Sequence, residues 1–196
     1  MRRISQKECT FSFAVFPENT EKPTITGRSQ TKQAEAMNMK EKNIFSAVRN
    51  GQYGQYQESI KNVDVNCRNE YGQNLLQEAI SSNRDGIAVD LVDKGIDVNH
   101  QDYWGLTPLH FCAQYHNVHI AELLLKNKAD VNAANTYGNN PLWTAVFYAD
   151  CDYRVVELFV KNGADAQHKN KANRSPLDFA QQIEDADMIK ILLDRE

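Results

Sequence analysis

The sequence predicts an all-α solenoid of about five helix–turn–helix repeats joined by short hairpin-like finger loops. Three observations carry this. The chain matches itself at a shift of 33 residues, with Asp64, Asp97, Asp130 and Asp165 in one column. Gly72, Gly105 and Gly138 form a second column, and the pairs Pro108-Leu109, Pro141-Leu142 and Pro176-Leu177 a third, with Leu76 in the first leucine place. Within a repeat, Leu109, Cys112 and Ala113, then Ile120, Ala121, Leu124 and Leu125, follow the i, i+3, i+4 spacing of helices with one apolar face.

Taken in order, the helix pairs are expected at 41–49/53–61, 74–82/85–94, 107–115/118–127, 140–149/153–162 and 175–183/186–194. The first pair is degenerate: its second helix carries Gly54, Gln55, Tyr56 and Gln57 instead of a leucine run. The third opens on Thr107-Pro108, a capping hydroxyl followed by proline at the first helical position, where a missing N–H costs nothing. The step from the third to the fourth Asp column is 35, so two residues are inserted near Tyr148–Tyr153. In the last repeat Asn173 stands in the turn-glycine column, and asparagine tolerates the left-handed backbone that the turn needs. The last helix surrounds Met188, Ile189, Leu192 and Leu193 with charge, as an end repeat requires. Ala79, Cys112, Ala145 and Ala180 recur where neighbouring repeats stack closely.

These columns resemble the ankyrin repeat over about residues 40–196. Thr107-Pro108-Leu109-His110 is the family tetrapeptide, and Lys128-Ala129-Asp130-Val131-Asn132 and Gly163-Ala164-Asp165-Ala166 match its inter-repeat segment. Gly95-Ile96-Asp97-Val98-Asn99 and Asn62-Val63-Asp64-Val65-Asn66 match that segment more loosely. The resemblance implies a protein-binding solenoid, with His110 making structural hydrogen bonds between turns. It also makes Asn66, Asn99 and Asn132 candidate hydroxylation sites; the simpler role for their amides is to bond the turn backbone.

Residues 1–39 read differently. Pro17, Pro23 and a Ser/Thr/Gln/Lys-rich stretch at 24–32 bury too little to offset ordering entropy. They carry six basic and four acidic residues, net +2, against 16 basic and 22 acidic, net −6, in 40–196. The domain division is therefore a poorly ordered extension at 1–39 and a repeat domain at 40–196.

Composition excludes several function classes. With 196 residues, 41% hydrophobic, 24% charged and a mean hydropathy of −0.61, the chain is globular and holds no apolar run of membrane-spanning length. A net charge of −4 argues against nucleic acid as partner. Cys9, Cys67, Cys112 and Cys151 form no Cys-x-x-Cys pair, and reduced thiols point to the cytoplasm. No phosphate-binding loop, nucleotide fingerprint or Gly-x-Ser-x-Gly is present. His116, His119 and Glu122 share a helical spacing but lack a fourth ligand, and Cys151 lies between two carboxylates that oppose a thiolate. The expectation is no enzyme, no metal and no cofactor.

One feature does point to function. At the variable positions of an ankyrin repeat, flanking the turn glycine and ending each first helix, stand Tyr71, Tyr103, Trp104, Tyr115, Tyr137, Phe147 and Tyr148. Aromatic residues dominate protein interfaces because they bury much area at little rotamer cost. Glu70, Asp102, Asp150 and Asp152 surround them, and Lys169, Lys171 and Arg174 reverse the sign at the last finger. The expected partner is a protein with a basic patch, bound by a chain that is monomeric when unbound. Two modes fit: blocking a partner's surface, as in bacterial immunity-type proteins and small eukaryotic inhibitors, or bridging two proteins without inhibiting either.

Overall fold

The computed structural model describes residues 32–194. Ten α-helices follow one another among these residues. The first pair is α1 (Lys32–Arg49) and α2 (Tyr53–Ser59), extended by a 3-10 turn at Ile60–Asn62. Then come α3 (Leu75–Ser81) with α4 (Asp85–Asp93), and α5 (Pro108–Gln114) with α6 (Val118–Lys126). The last pairs are α7 (Pro141–Tyr148) with α8 (Arg154–Lys161) and α9 (Pro176–Gln182) with α10 (Ala186–Leu193). The first helices α1, α3, α5, α7 and α9 stack neighbour on neighbour, and α4, α6, α8 and α10 stack behind them. No helix among the described residues is long and apolar enough to cross a membrane.

The repeat columns account for the core. Leu76, Leu109 and Leu142 are fully buried, as are Ala79, Cys112 and Ala180, with Ala145 nearly so. Small side chains at that position let consecutive first helices approach; larger ones would hold them apart. Several helix starts carry a side-chain cap. Asn74 accepts from the Gln77 N–H at 3.1 Å, Asn140 from the Trp143 N–H at 2.9 Å, and Ser175 from the Asp178 N–H at 3.1 Å. The degenerate α2 is held by one ring: Tyr56 is fully buried and donates its hydroxyl to Asp90 on α4 at 2.5 Å.

Two expectations are corrected in the N-terminal part. Helix α1 starts at Lys32, not near residue 41, so residues 32–39 are helical although they were grouped with the extension. The run KQAEAMNMKEK is rich in good helix formers, and it propagates from the packed turn of Ile44, Ala47 and Val48. Of the extension expected at 1–39, residues 1–31 lie outside the described residues. At the other end, the two-residue insertion falls where expected. Between α7 and α8, Asp150 and Cys151 both take positive φ, 41° and 68°, and Cys151 is exposed.

Between repeats, side chains staple one turn to the next. The Asn66, Asn99 and Asn132 carboxamides accept the N–H of Asp97, Asp130 and Asp165 at 2.9, 2.7 and 2.8 Å. Gln77 donates to the Leu106 carbonyl at 2.6 Å, and His110, in the same column, bonds the Asn139 carbonyl at 3.1 Å. His110 Nδ1 accepts the Thr107 N–H, so the proton sits on Nε2, which donates to Asn139. Full burial keeps this imidazole neutral and lowers its pKa to about 4. Trp143 occupies the next place in that column. Its indole N–H is buried and unpartnered, and its ring instead packs on Phe179 at 5.7 Å.

Candidate functional site

The fingers are built by one repeated device. Asn69, Asp102, Asn135 and Asn170 each turn their Oδ1 inward to accept two backbone N–H groups, two and four residues on. This closes a tight loop whose tip carries the glycine column. At Gly105 φ is 74°, and an added Cβ would lie 2.9 Å from the Thr136 N and 3.0 Å from the Asn135 Cα. Glycine is therefore needed there both for the left-handed backbone and for close approach of the next finger. Asn173 adopts φ 56° and closes the last turn.

Adjacent tips are joined through the main chain. Tyr103 donates its N–H to the Tyr71 carbonyl at 3.3 Å, Thr136 to Trp104 at 2.9 Å and Lys171 to Tyr137 at 3.0 Å. The residue just before each turn glycine thus accepts from the next finger, and its side chain is left to the surface column. Tyr71 and Trp104 are stacked, with centroids 6.1 Å apart and planes 28° apart. Tyr103 lies across Gly72, where a Cβ would come within 2.7 Å of the ring. Tyr71, Tyr103 and Tyr115 are exposed, whereas Trp104 and Tyr137 are half-buried.

The helix-end rings form a second group. Phe147 meets Tyr148 edge-on at 5.1 Å and Phe179 at 5.7 Å. Phe147 and Tyr148 are half-buried, so these two present less surface than the finger rings. Burial raises the pKa of Tyr115 and of Tyr148; Glu78 adds to the first and Tyr115 to the second, which places the groups in one neighbourhood.

The family model described as ankyrin repeats (3 copies) matches residues 44–135 and 85–170. The chain belongs to the ankyrin-repeat family. Ankyrin repeats are protein–protein interaction modules, and the family is generally non-enzymatic. Among relatives of this ankyrin chain, NF-kappa-B inhibitor zeta of Bos taurus is 35% identical over 88 residues, 42% of this chain and 12% of that protein. Serine/threonine-protein kinase 12 of Arabidopsis thaliana is 36% identical over 81 residues, 41% of this chain and 17% of the kinase. Neurogenic locus notch homolog protein 1 of Homo sapiens is 33% identical over 110 residues, 55% of this chain and 4% of that protein. The chain thus spans a small part of the length of each of these curated relatives.

The charges around the ankyrin fingers differ from the expectation. Asp102 is not a surface charge: the residue is 6% exposed, and its carboxylate is folded into its own finger. Burial raises its pKa to about 6 against the opposing N–H groups of Leu106 and Trp104. Asp152 is paired with Arg154 at 2.7 Å, and Lys169 of the last finger with Asp178 at 2.5 Å. An Asp at a finger tip reads as solvated in sequence; the two-N–H loop is what draws it inside. Conversely, sequence reasoning passed over Glu78. Its carboxylate lies beneath the surface on α3, 5% exposed, and takes the Arg49 guanidinium through Nε at 2.7 Å and Nη2 at 3.3 Å. Its column otherwise holds Phe111, Thr144 and Phe179, so a lone acid among uncharged residues was the available signal. Among the described residues no three His, Cys, Asp or Glu side chains converge as metal ligands.

Proposed function

We propose that this ankyrin domain binds a partner protein across the finger tips and first-helix ends, through Tyr71, Tyr103, Trp104, Tyr115, Tyr137, Phe147 and Tyr148, and acts by covering the partner's surface. The stacked Tyr71–Trp104 pair carries this reading, because it holds exposed aromatic area rigid before any partner arrives. Rigid aromatic surface loses little conformational entropy on binding. The name of one relative, an NF-kappa-B inhibitor, is consistent with blocking. An immunity-type neutraliser of a toxin is one form of the same mode. The bound surface of the partner is basic, the unbound chain is a monomer, and the encounter takes place in the cytoplasm.

Affinity capture from the source lysate tests this, with wild type beside a Tyr71→Ala/Trp104→Ala/Tyr137→Ala variant shown to be folded by circular dichroism. One abundant prey lost in the variant supports the face; its retention refutes it. Inhibition of the captured partner by the purified chain separates blocking from adaptor behaviour. A second prey lost on deletion of residues 1–31, with the first retained, would favour the adaptor.

A further inference from the structure

Resting on that proposed face, we infer that residues 1–16 of this same chain occupy it in the unbound protein, with Phe11 and Phe13 against the Tyr71–Trp104 stack, so that a partner binds only by displacing them. The surface in question is fixed by geometry. Tyr71 and Trp104 stack at 6.1 Å, and Tyr103 is folded over Gly72. Tyr71 and Tyr103 keep 38% and 44% of their area exposed. Rings side by side on adjacent finger tips make a contiguous aromatic patch, and such patches mark binding surfaces.

The chain carries a segment that matches this patch in chemistry, spacing and charge. Phe11-Ser12-Phe13-Ala14-Val15-Phe16 is the dense apolar run of residues 1–31 and holds three of the chain's eight phenylalanines. Six residues closed by Pro17 cannot form a core of their own, so these rings are buried against the repeat domain or stay in water. In an extended segment, residues two apart point to one side at roughly 6.6 Å from each other. Phe11 and Phe13 thereby match the 6.1 Å step from Tyr71 to Trp104. The ten residues ahead of the run carry Arg2, Arg3 and Lys7 against Glu8, net +2, while 40–196 carries −6 and Glu70 is exposed beside Tyr71.

Helix α1 delivers the segment to the right end of the solenoid. Arg49, in the last turn of α1, reaches Glu78 on α3, and its carbonyl accepts from Arg84 just past the end of α3. The two helices therefore run in the same direction, and α1 starts at the end where the Tyr71 finger enters α3. Stepping back from Leu75 by the 33-residue period gives Lys42, so α1 begins ten residues earlier than its neighbour, roughly 15 Å of helix. Fifteen residues separate Phe16 from Lys32. Such a length spans roughly 20 Å as a random coil and roughly 50 Å when extended. Three fingers at 8–10 Å per packed helix cover about 20 Å, so the tether covers both the overshoot and the finger row. A tether of this reach gives an effective concentration in the millimolar range, at which an individually weak contact is occupied.

A nitroxide on Cys9 tests the contact in the full chain carrying Cys151→Ser, because Cys67 and Cys112 are buried. Paramagnetic broadening is expected at the amides of 70–72 and 103–105, and Phe11→Ser/Phe13→Ser/Phe16→Ser should abolish it. Finger amides at full intensity, or broadening that survives the triple variant, would overturn the inference. Broadening of an isotope-labelled chain by a separate nitroxide-bearing chain would assign the contact to a second copy and overturn it as well. Displacement is read with a fluorescent synthetic peptide of residues 1–18. The peptide should bind the triple variant about tenfold more tightly than wild type, the ratio for a face occupied nine-tenths of the time. Trp104→Ala in the triple variant should remove that binding. Equal affinity for wild type and triple variant would refute competition. These readouts need no partner, so a failed lysate capture beside a positive result here would sink the partner-binding reading alone.

Discussion

Asp102→Asn should stabilise the domain at neutral pH and expose an acid sensitivity that the native chain conceals. Asp102 is the one carboxylate among four finger residues of which the others are Asn69, Asn135 and Asn170. Burial raises it from 3.8 to about 6. A folded pKa above the unfolded one means that the proton stabilises the fold fully below 3.8 and that this contribution is lost as pH rises through 6. Two units correspond to roughly 3 kcal/mol of disfavoured charge at pH 7. Asparagine removes that charge and keeps an oxygen for the Trp104 and Leu106 N–H groups, at the loss of roughly 1 kcal/mol of charge-assisted bonding. The net expectation is a gain of about 1–2 kcal/mol.

His110 acts in the opposite sense over the same window. Its folded pKa of about 4 lies below the ordinary histidine value of 6.5. Its contribution is present above 6.5 and lost as pH falls toward 4, again by roughly 3 kcal/mol. In the native chain the two groups offset each other between about pH 4 and 6.5. Urea unfolding at pH 7.0, 5.5 and 4.5 in fixed salt reads both effects. The variant should unfold at higher urea than wild type at pH 7 and lose that advantage steadily on acidification. Parallel curves, or a variant no more stable at pH 7, would refute the burial argument for Asp102.

Other expectations follow from the same geometry. Gly105→Ala should destabilise by about 2 kcal/mol or more, since strain at positive φ is joined by a clash with the next finger, whereas Gly95→Ala, at φ 77° with open space around it, should cost about 1 kcal/mol; thermal melts compare the two. Thr144→Val should be neutral or stabilising by up to about 1 kcal/mol, because the hydroxyl it removes is buried without a partner, and a clear loss in a urea titration would reveal a bond to water there. Asn99→Ala removes the staple to the Asp130 N–H and to the Lys128 carbonyl, and a loss of roughly 1 kcal/mol with faster amide exchange at Asp130 is expected.

The periodic parts of the fold were legible because each obeys a local rule. Proline at the first helical position, the small-residue column and the glycine turns placed every helix from α3 to α10 within about two residues. What escaped were features in which tertiary context overrides residue type. The start of α1 was hidden because residues 32–39 adjoin a polar stretch, although Ala34, Glu35, Ala36 and Lys40 favour a helix. Asp102 was misplaced and Glu78 passed over for a shared reason. A carboxylate reads as exposed unless its hydrogen-bond partners are known, and those partners are main-chain N–H groups in one case and an arginine 29 residues away in the other. Phe147 was half legible: its column suggested the surface, while its contact with Phe179 depends on the last repeat docking at that angle.

The bonds between finger tips have a bearing on how such a chain can change over generations. Tyr71, Trp104 and Tyr137 enter that ladder only as carbonyl acceptors, and any amino acid supplies the same oxygen. A lineage can therefore rewrite these three side chains, and with them its choice of partner, while the register between repeats is kept by atoms that mutation does not reach. Recognition and architecture are inherited through the same residues but by separate parts of each.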